Sequence, residues 1–212
     1  MFSFTKKPES TIEFNGNVYR INLAFDVVIQ AFSVIEDEQL SDAEKANKCF
    51  DLLIIDDFPY QDESIKAQII ADLFKYLYQN PYGHANASDD DEQEGAAPIP
   101  DFDFEQDAGA IYASFRQQYN IDLIQELGHM HWDVFIALFK NLNSETPIQQ
   151  IRAYRNDELN GYKDNPEGLS HAAEMKDYFQ LDKVRHLEED DDADKFSGDA
   201  QSVFASMFND AK

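Results

Sequence analysis

Two histidines and an aspartate in the middle of the chain have side chains that can bind metal ions. His129 and His131 are separated by one residue, and Asp133 follows after one more. On a helix, residues i and i+2 point about 200° apart, so the two imidazoles would not reach one ion. An extended backbone after Gly128 would let both rings face the same way. The helical interpretation is favoured, so we predict no metal site. Three further histidines lack ligand spacing and are expected at the surface: His84, His171 and His186.

Acidic stretches could bind calcium, but they do not match the spacing of an EF-hand loop. Such a loop needs a glycine at its sixth position and a glutamate at its twelfth. A loop starting at Asp190 would place Lys195 at the glycine position and Gln201 at the glutamate position. A loop starting at Asp101 would place Gln106 at the glycine position. We therefore interpret the acidic stretches as solvated charge.

Motifs for nucleophilic or nucleotide chemistry are absent from the sequence. The chain contains no GxSxG, P-loop or GxGxxG pattern. Its 42 aspartates and glutamates make carboxylate pairs too common to identify an acid–base site. Cys49 is the only cysteine, and we expect it to be a small buried hydrophobe and not a reactive thiol. A non-enzymatic protein without a cofactor is expected.

The charge balance restricts the partners that the chain can bind. Its 212 residues include 17 basic side chains against the 42 acids, which gives a formal net charge of -25. A surface of this kind repels phosphate backbones and anionic lipid, so we expect binding to neither nucleic acid nor membranes. No apolar run approaches the roughly 20 residues that span a bilayer. The first ten residues do not resemble a secretory signal, so an intracellular protein is expected.

The first 84 residues are predicted to form a β-hairpin and a helical lobe. Apolar and polar side chains alternate in residues 11–14 and 18–23. Between them lies Asn15-Gly16, a dipeptide that favours a type I′ turn. Three helices should follow. Asp26 is predicted to cap the first helix, Ser41 should form a capping box with Glu44 at the start of the second, and the third should begin near Asp62.

Residues 85–106 are predicted to be an acidic linker or loop. Residues 85–100 contain five acids, no bases and two prolines, a composition typical of flexible segments. A second helical lobe is expected over residues 107–186. Residues 187–212 should form an acidic tether that ends in a short amphipathic helix. The predicted fold class is mainly α, a helical bundle-like domain with an amino-terminal β-hairpin.

The predicted second lobe contains several helix signals. Asp107 can cap its first helix, and Asn120 should end that helix. The next long helix is predicted over His129–Leu142. Thr146-Pro147-Ile148-Gln149 combines an N-cap, a proline at the first helical position and a capping-box glutamine. A further helix is predicted over Ser170–Val184.

Two segments of this lobe resemble a known protein family. Residues 111–142 read IYASFRQQYNIDLIQELGHMHWDVFIALFKNL, and residues 146–155 read TPIQQIRAYR. Together they resemble the bacteriophage gene-product-fifteen family, which is encoded in the tail modules of long-tailed phages beside the tape-measure gene. The spaced elements IYxSFxxxYxIDL, MHWxxFxxLxxxL and TPIxxIRxYR occur here in that order. This combination is more specific than any one of the motifs.

The resemblance implies a non-catalytic tail assembly chaperone. Such a protein would bind the aggregation-prone tape-measure protein while the tail tube assembles around it, and the tail tube protein is a second expected partner. The location would be the host cell cytoplasm during assembly, with the protein absent from the mature virion. A homo-oligomer is compatible with this role. A strongly negative surface suits it, because charge discourages further association of a complex.

Candidate partner-binding residues fall into three groups. Core packing is favoured over a binding hot spot for the aromatic pair, and ion pairing is as well supported as recognition for the arginine pair. The third group is an apolar helix face near the end of the sequence. The candidates are Trp132 and Phe135, Arg152 and Arg155, and Val203, Phe204, Met207 and Phe208.

Two alternative functions follow from the composition and the family context. Dense aspartate and glutamate could imitate DNA phosphates and inhibit a host nuclease. The concentration of many acids in the two predicted linker segments argues against this alternative, which needs acids spread along regular elements. The other alternative is a structural head or tail component, which would be present in purified virions.

Overall fold

The computed structural model describes residues 4–78, 101–162 and 165–189, which form two compact units. The first unit contains residues 4–78 and 126–137. The second contains residues 101–125, 138–162 and 165–189. Residues 126–137 thus belong to the first unit, although they lie within the predicted second lobe.

The described residues are mainly helical, with one two-stranded antiparallel sheet, which confirms the predicted fold class. In chain order the elements are β1 (Thr11–Phe14), β2 (Asn17–Arg20), α1 (Phe25–Glu36), α2 (Asp42–Leu53), α3 (Glu63–Leu77), α4 (Ala108–Tyr119), α5 (Trp132–Lys140), α6 (Pro147–Arg155), a 3₁₀ turn (Asn160–Tyr162), α7 (Pro166–Tyr178) and α8 (Asp182–Glu189).

The predicted hairpin is present. Asn15 and Gly16 have positive φ angles of 49° and 76°, as a type I′ turn requires. The second strand is shorter than predicted and ends at Arg20. Beyond it the chain leaves β1 and bonds to the end of α2, where the N–H of Asn22 donates to Leu53 O at 2.8 Å.

One of the two predicted caps in the first unit is present, and the third helix begins beside Asp62 as predicted. Ser41 and Glu44 form a complete capping box at the start of α2. The Asp62 carboxylate accepts from the N–H of Ser64 at the start of α3. The prediction for Asp26 was wrong, because α1 begins at Phe25, which places Asp26 in its first turn, and the helix has no side-chain cap. Asp26 instead accepts from the N–H of Gly128 at 2.9 Å, a contact that local sequence could not reveal.

The core of the first unit lies among α1, α2 and α3. Its most buried side chains are Val28, Ala31, Ile35, Cys49, Leu53 and Ile70. The Cys49 thiol donates weakly to Ala31 O, and burial raises its pKa to about 12. The expectation of a small buried hydrophobe is confirmed, since so little thiolate forms near neutral pH.

Helix α5 begins at Trp132 and not at the predicted His129. The residues just before it pair with the chain that enters α1. The N–H of Phe25 donates to Met130 O at 2.9 Å, and the N–H of Trp132 donates to Leu23 O at 2.7 Å. Because these backbone groups bond across the unit, they are not available for a helical turn.

The second unit packs α4, α6, α7 and α8 with the end of α5. Asn120 adopts a left-handed conformation and ends α4, as predicted. The core contains Ile111, Phe115, Phe139, Ile148 and Leu181, all nearly inaccessible. The hydroxyl of Ser114 accepts from the N–H of Ile148 at 3.0 Å and joins α4 to α6.

Three expectations for the second unit require correction. The predicted helix over Ser170–Val184 is two helices, α7 and α8. Gln106 contributes to the break, because its side chain bonds both Gln180 O and the N–H of Asp182. Thr146 lies at the N-cap of α6, but no capping box forms, because its hydroxyl donates to Asn143 O.

The third correction concerns Asp107, which lies at the N-cap of α4 without making a side-chain cap. Its carboxylate is engaged by Arg155 and by the N–H of Asp103. The described end of the predicted linker is also packed, because the Phe102 ring lies 5.0 Å from that of Phe139. Residues 85–100 and 190–212 lie outside the described residues.

Candidate functional site

Trp132 and Phe135 lie in the core of the first unit. Their side chains are 3% and 1% exposed. Phe135 stacks on Phe25 with ring centroids 4.7 Å apart, and the Trp132 indole N–H donates to Leu77 O. Neither ring offers a surface to a partner in this arrangement, so both act in packing, which was the favoured interpretation.

His131 supports the same region through both ring nitrogens. Nδ1 lies 3.1 Å from the N–H of Asp133, which donates to it, so Nε2 carries the proton and donates to Glu9 O at 2.8 Å. The Asp133 carboxylate accepts from the Tyr76 hydroxyl at 2.6 Å. Burial and, to a smaller extent, this hydrogen bond hold the pKa of the Tyr76 hydroxyl above its ordinary range. Within the described ranges, no group of three or more histidine, cysteine or acidic residues is arranged to hold a metal ion.

Arg155 and Asp107 form a buried ion pair in the second unit. The two guanidinium nitrogens of Arg155 lie 2.6 and 2.8 Å from the two carboxylate oxygens. The side chains are only 8% and 5% exposed. Arg155 also donates to Asp101 O and to Phe179 O. This geometry joins α4, α6 and the residues after α7.

Arg152 makes a second, more accessible ion pair beside the first. It lies 2.9 Å from Asp101 and stacks over the Phe102 ring at 5.4 Å. Asp157 and Glu158, which lie close to these arginines in the sequence, are not their ion-pair partners. The Asp157 carboxylate accepts instead from Tyr162. The true partners are more than forty residues earlier in the chain.

Lys183 and Asp103 complete this arginine cluster, which we define as Arg152, Arg155 and Lys183 with Asp101, Asp103 and Asp107. The Lys183 ammonium lies 3.1 Å from the Asp103 carboxylate. Across the part of the chain that the structure describes, every buried side-chain nitrogen and oxygen has a hydrogen-bond partner. The buried pair of Arg155 and Asp107 therefore has its buried polar atoms satisfied, which indicates a structural role for the cluster.

Acid should weaken this cluster through Asp103. Burial alone would raise the pKa of Asp103, but hydrogen bonds from the N–H groups of Gln106 and Glu105 and from Lys183 lower it below 3.8. A lowered pKa stabilises the folded state above the unfolded pKa, and that stabilisation is lost as pH falls through the folded value.

We expect the Asp103→Asn variant to be less stable than the natural chain at neutral pH and to approach it in stability below pH 3.8. Urea unfolding at several pH values would measure the difference between the two chains. A difference that stays constant down to the lowest pH would contradict the assignment of this charge.

A groove in the first unit was missed by the sequence-based predictions. It has a volume of about 400 Å³ and lies between β1 and α3. Its lining residues are Glu9, Thr11, Ile12, Glu13, Phe14, Ile21, Gln68, Ile69, Asp72, Leu73 and Tyr76. The hairpin and the i, i+4 spacing of α3 were both visible in the sequence, but nothing local showed that they face each other. The remaining candidates Val203, Phe204, Met207 and Phe208 lie outside the described residues.

Comparison with known families covers both units. The model of a family described as Bacteriophage Gp15 protein matches residues 6–181, most of the 212-residue chain. The chain belongs to the bacteriophage Gp15 family. Membership confirms the resemblance seen in residues 111–155 and extends it to the hairpin and to the helices of the first unit.

No curated protein and no solved structure shows significant similarity to this Gp15 family member. None of the helices in the described ranges combines the length and apolar character that crossing a membrane requires.

Proposed function

We propose that the chain is a non-catalytic tail assembly chaperone that binds the tape-measure protein and assists assembly of the tail tube around it. The observation that carries this proposal is membership of the bacteriophage Gp15 family over residues 6–181. Genes of this family lie beside the tape-measure gene, and this is why we propose the tape-measure protein as the partner. The tail tube protein is a second proposed partner, and the host cell cytoplasm is the proposed site of action.

The physical properties of the chain support a holding function. A net charge of -25 keeps a complex dispersed while an apolar surface covers part of an aggregation-prone partner. The groove between β1 and α3 is such a surface, because Ile12, Phe14, Ile69 and Leu73 contribute to its lining. The arginine cluster holds the second unit together through its ion pairs.

Co-expression tests the proposal directly. With the tape-measure protein encoded beside this gene, we expect a soluble complex that co-purifies, whereas the tape-measure protein expressed alone should be largely insoluble. The control is co-expression with an unrelated protein of similar size and negative charge. Absence of association with both the tape-measure and tail tube proteins would overturn the proposal.

A variant in the same co-expression experiment tests whether the last apolar residues of the sequence bind the partner. If Val203, Phe204, Met207 and Phe208 contact the partner, the Phe204→Asp/Phe208→Asp chain should lose the complex. Mass spectrometry of purified virions addresses the alternative of a structural component, which should be present there, whereas a chaperone should be absent.

Inhibition of a nuclease by DNA mimicry receives less support. A mimic needs unpaired carboxylates along a regular surface. In the second unit, Asp101, Asp103 and Asp107 are instead neutralised by arginine or lysine. Salt-sensitive binding to a host nuclease would favour the mimic over the chaperone.

A further inference from the structure

The outer edge of β1 has backbone groups that can accept another strand. In an antiparallel pair, residues that exchange hydrogen bonds alternate with residues whose N–H and C=O groups point away. The N–H of Ile21 donates to Ser10 O, so Ser10 and Ile21 form a hydrogen-bonded pair. Two positions along the register, Ile12 and Tyr19 form the next such pair. The backbone groups of Thr11 and Glu13 therefore point away from β2.

These outward groups have no partner among the described residues. The backbone hydrogen bonds of the described ranges include none from the N–H of Thr11 or Glu13 to another element. The outer edge of β2 differs, because the N–H of Ile55 donates to Arg20 O at 3.0 Å and Ile21 forms a bridge with Ile54. An unpaired strand edge is a template for an added strand.

The groove lies along this same edge and has an apolar floor. Thr11, Ile12, Glu13 and Phe14 line one side, and α3 supplies the other. The α3 side chains Ile69 and Leu73 are 7% and 5% exposed, so they form a floor and not a projecting surface. A strand added to β1 would continue the face that carries Ile12 and Phe14 and would cover this floor.

The rim of the groove is acidic. Glu9, Glu13 and Asp72 are among its lining residues, and no lysine or arginine is. The nearest counter-charge on α3 is Lys75, which contacts Asp72 at 3.5 Å in an exposed pair. Glu13 lies on the exposed face of β1, the face that every second side chain of an added strand would share. Basic side chains are favoured at those positions.

We propose that the groove between β1 and α3 binds an extended segment of a partner protein in which apolar and basic residues alternate, and that this segment adds a third strand at the edge of β1. The four residues of β1 span about 13 Å, so the contacted segment is short. That the partner is the tape-measure protein rests on the proposed function, whereas the binding mode does not.

A helix or the end of this same chain fits the groove less well. A helix satisfies its own backbone groups and would leave those of Thr11 and Glu13 unpaired. The apolar run from Val203 to Phe208 has Asp199 and Asp210 near its ends, charges that the acidic rim repels. A basic, extended partner satisfies both the backbone edge and the rim.

A synthetic peptide of alternating valine and lysine provides the probe. We expect the full chain to bind it, with an affinity that falls at higher salt. Replacing its lysines by glutamates, or methylating the backbone nitrogens that face β1, should weaken binding at least about tenfold. Fluorescence anisotropy of a labelled peptide would measure these differences.

Proline and alanine at position 13 form a matched pair of variants. Proline removes the outward N–H but breaks no bond of the hairpin, and prolines are tolerated on such edges. Both Glu13→Pro and Glu13→Ala lose the carboxylate, but only the first loses the donor. We expect Glu13→Pro to bind the peptide about tenfold more weakly than Glu13→Ala. Circular dichroism would verify that both variants fold.

Charge reversal provides a second measurement that does not depend on proline. Asp72→Lys should weaken binding about tenfold, whereas Glu167→Lys, an equal change at an exposed position on α7, should not. Equal binding by Glu13→Pro and Glu13→Ala would overturn strand addition. So would preferential binding of a helical basic peptide.

The remaining outcomes separate this inference from the proposed function. Absence of peptide binding to the full chain would overturn the inference, even if the tape-measure complex forms. Binding that appears only in the Phe204→Asp/Phe208→Asp chain would also overturn it, by assigning the groove to the chain's own end. Peptide binding without a complex with the tape-measure or tail tube protein would support the groove and contradict the chaperone.

Discussion

Replacing Arg155 with methionine is expected to lower the free energy of unfolding by about 3–5 kcal/mol. The side chain of Arg155 is 8% exposed, and its Asp107 partner is 5% exposed. Methionine fills much of the volume but leaves the Asp107 carboxylate buried without its cation. It also removes the donors to Asp101 O and Phe179 O. Urea unfolding followed by circular dichroism would measure the loss.

Arg20→Met is the matched control. Arg20 also bonds an aspartate through two nitrogens, at 2.6 and 2.8 Å from Asp56, but its side chain is 67% exposed. Solvent screens such a pair, so we expect no resolvable change in stability. The double variant Arg155→Met/Asp107→Leu should lose less than the sum of its single variants, because it leaves no unpaired charge. Equal effects of Arg155→Met and Arg20→Met would contradict the structural role of the cluster.

Elements that depend on neighbouring residues could be predicted from the sequence. The turn at Asn15-Gly16 needs only two residues that accept positive φ angles. The capping box needs only Ser41 and Glu44, three positions apart. Because the groups that satisfy the backbone lie within one turn, the sequence contained all the information that these features require.

Contacts between distant residues could not be predicted in the same way. Asp26 and Asp107 are both of a residue type that favours N-caps, and Asp107 does lie at the N-cap of α4, yet each carboxylate accepts from a group far along the chain. A long-range donor that is charged or otherwise unpaired competes with the local N–H. With 42 acids present, the partner of Arg155 could not be chosen from the sequence.

The same distinction between local features and contacts of distant residues applies to the candidate site. The hairpin and α3 could each be predicted, but the groove exists only because the chain returns β1 to the side of α3. Pairing of Met130 and Trp132 with the residues before α1 likewise determines where α5 begins. Residue type identified Trp132 and Phe135 as candidates, and burial assigned them to the core.

Phe135→Ala is expected to lower the free energy of unfolding by about 3–5 kcal/mol. The Phe135 ring is 1% exposed and stacks between Phe25 at 4.7 Å and Trp132 at 5.7 Å. Alanine would leave a cavity that these two rings can fill only in part. Trp132 is the single tryptophan of the chain, so its fluorescence follows the first unit during unfolding. Circular dichroism should accompany it, because the substitution also changes the surroundings of the indole.

Ile55→Ala is the control for Phe135→Ala, because Ile55 is an apolar side chain of the same unit that is 54% exposed. Its removal should change stability by no more than about 0.5 kcal/mol. The comparison also tests the partner-binding alternative for Phe135. A binding hot spot would lose partner affinity on truncation while the isolated chain kept its stability. Retained stability in Phe135→Ala would contradict core packing, whereas the expected loss means that any accompanying loss of binding follows from a destabilised first unit.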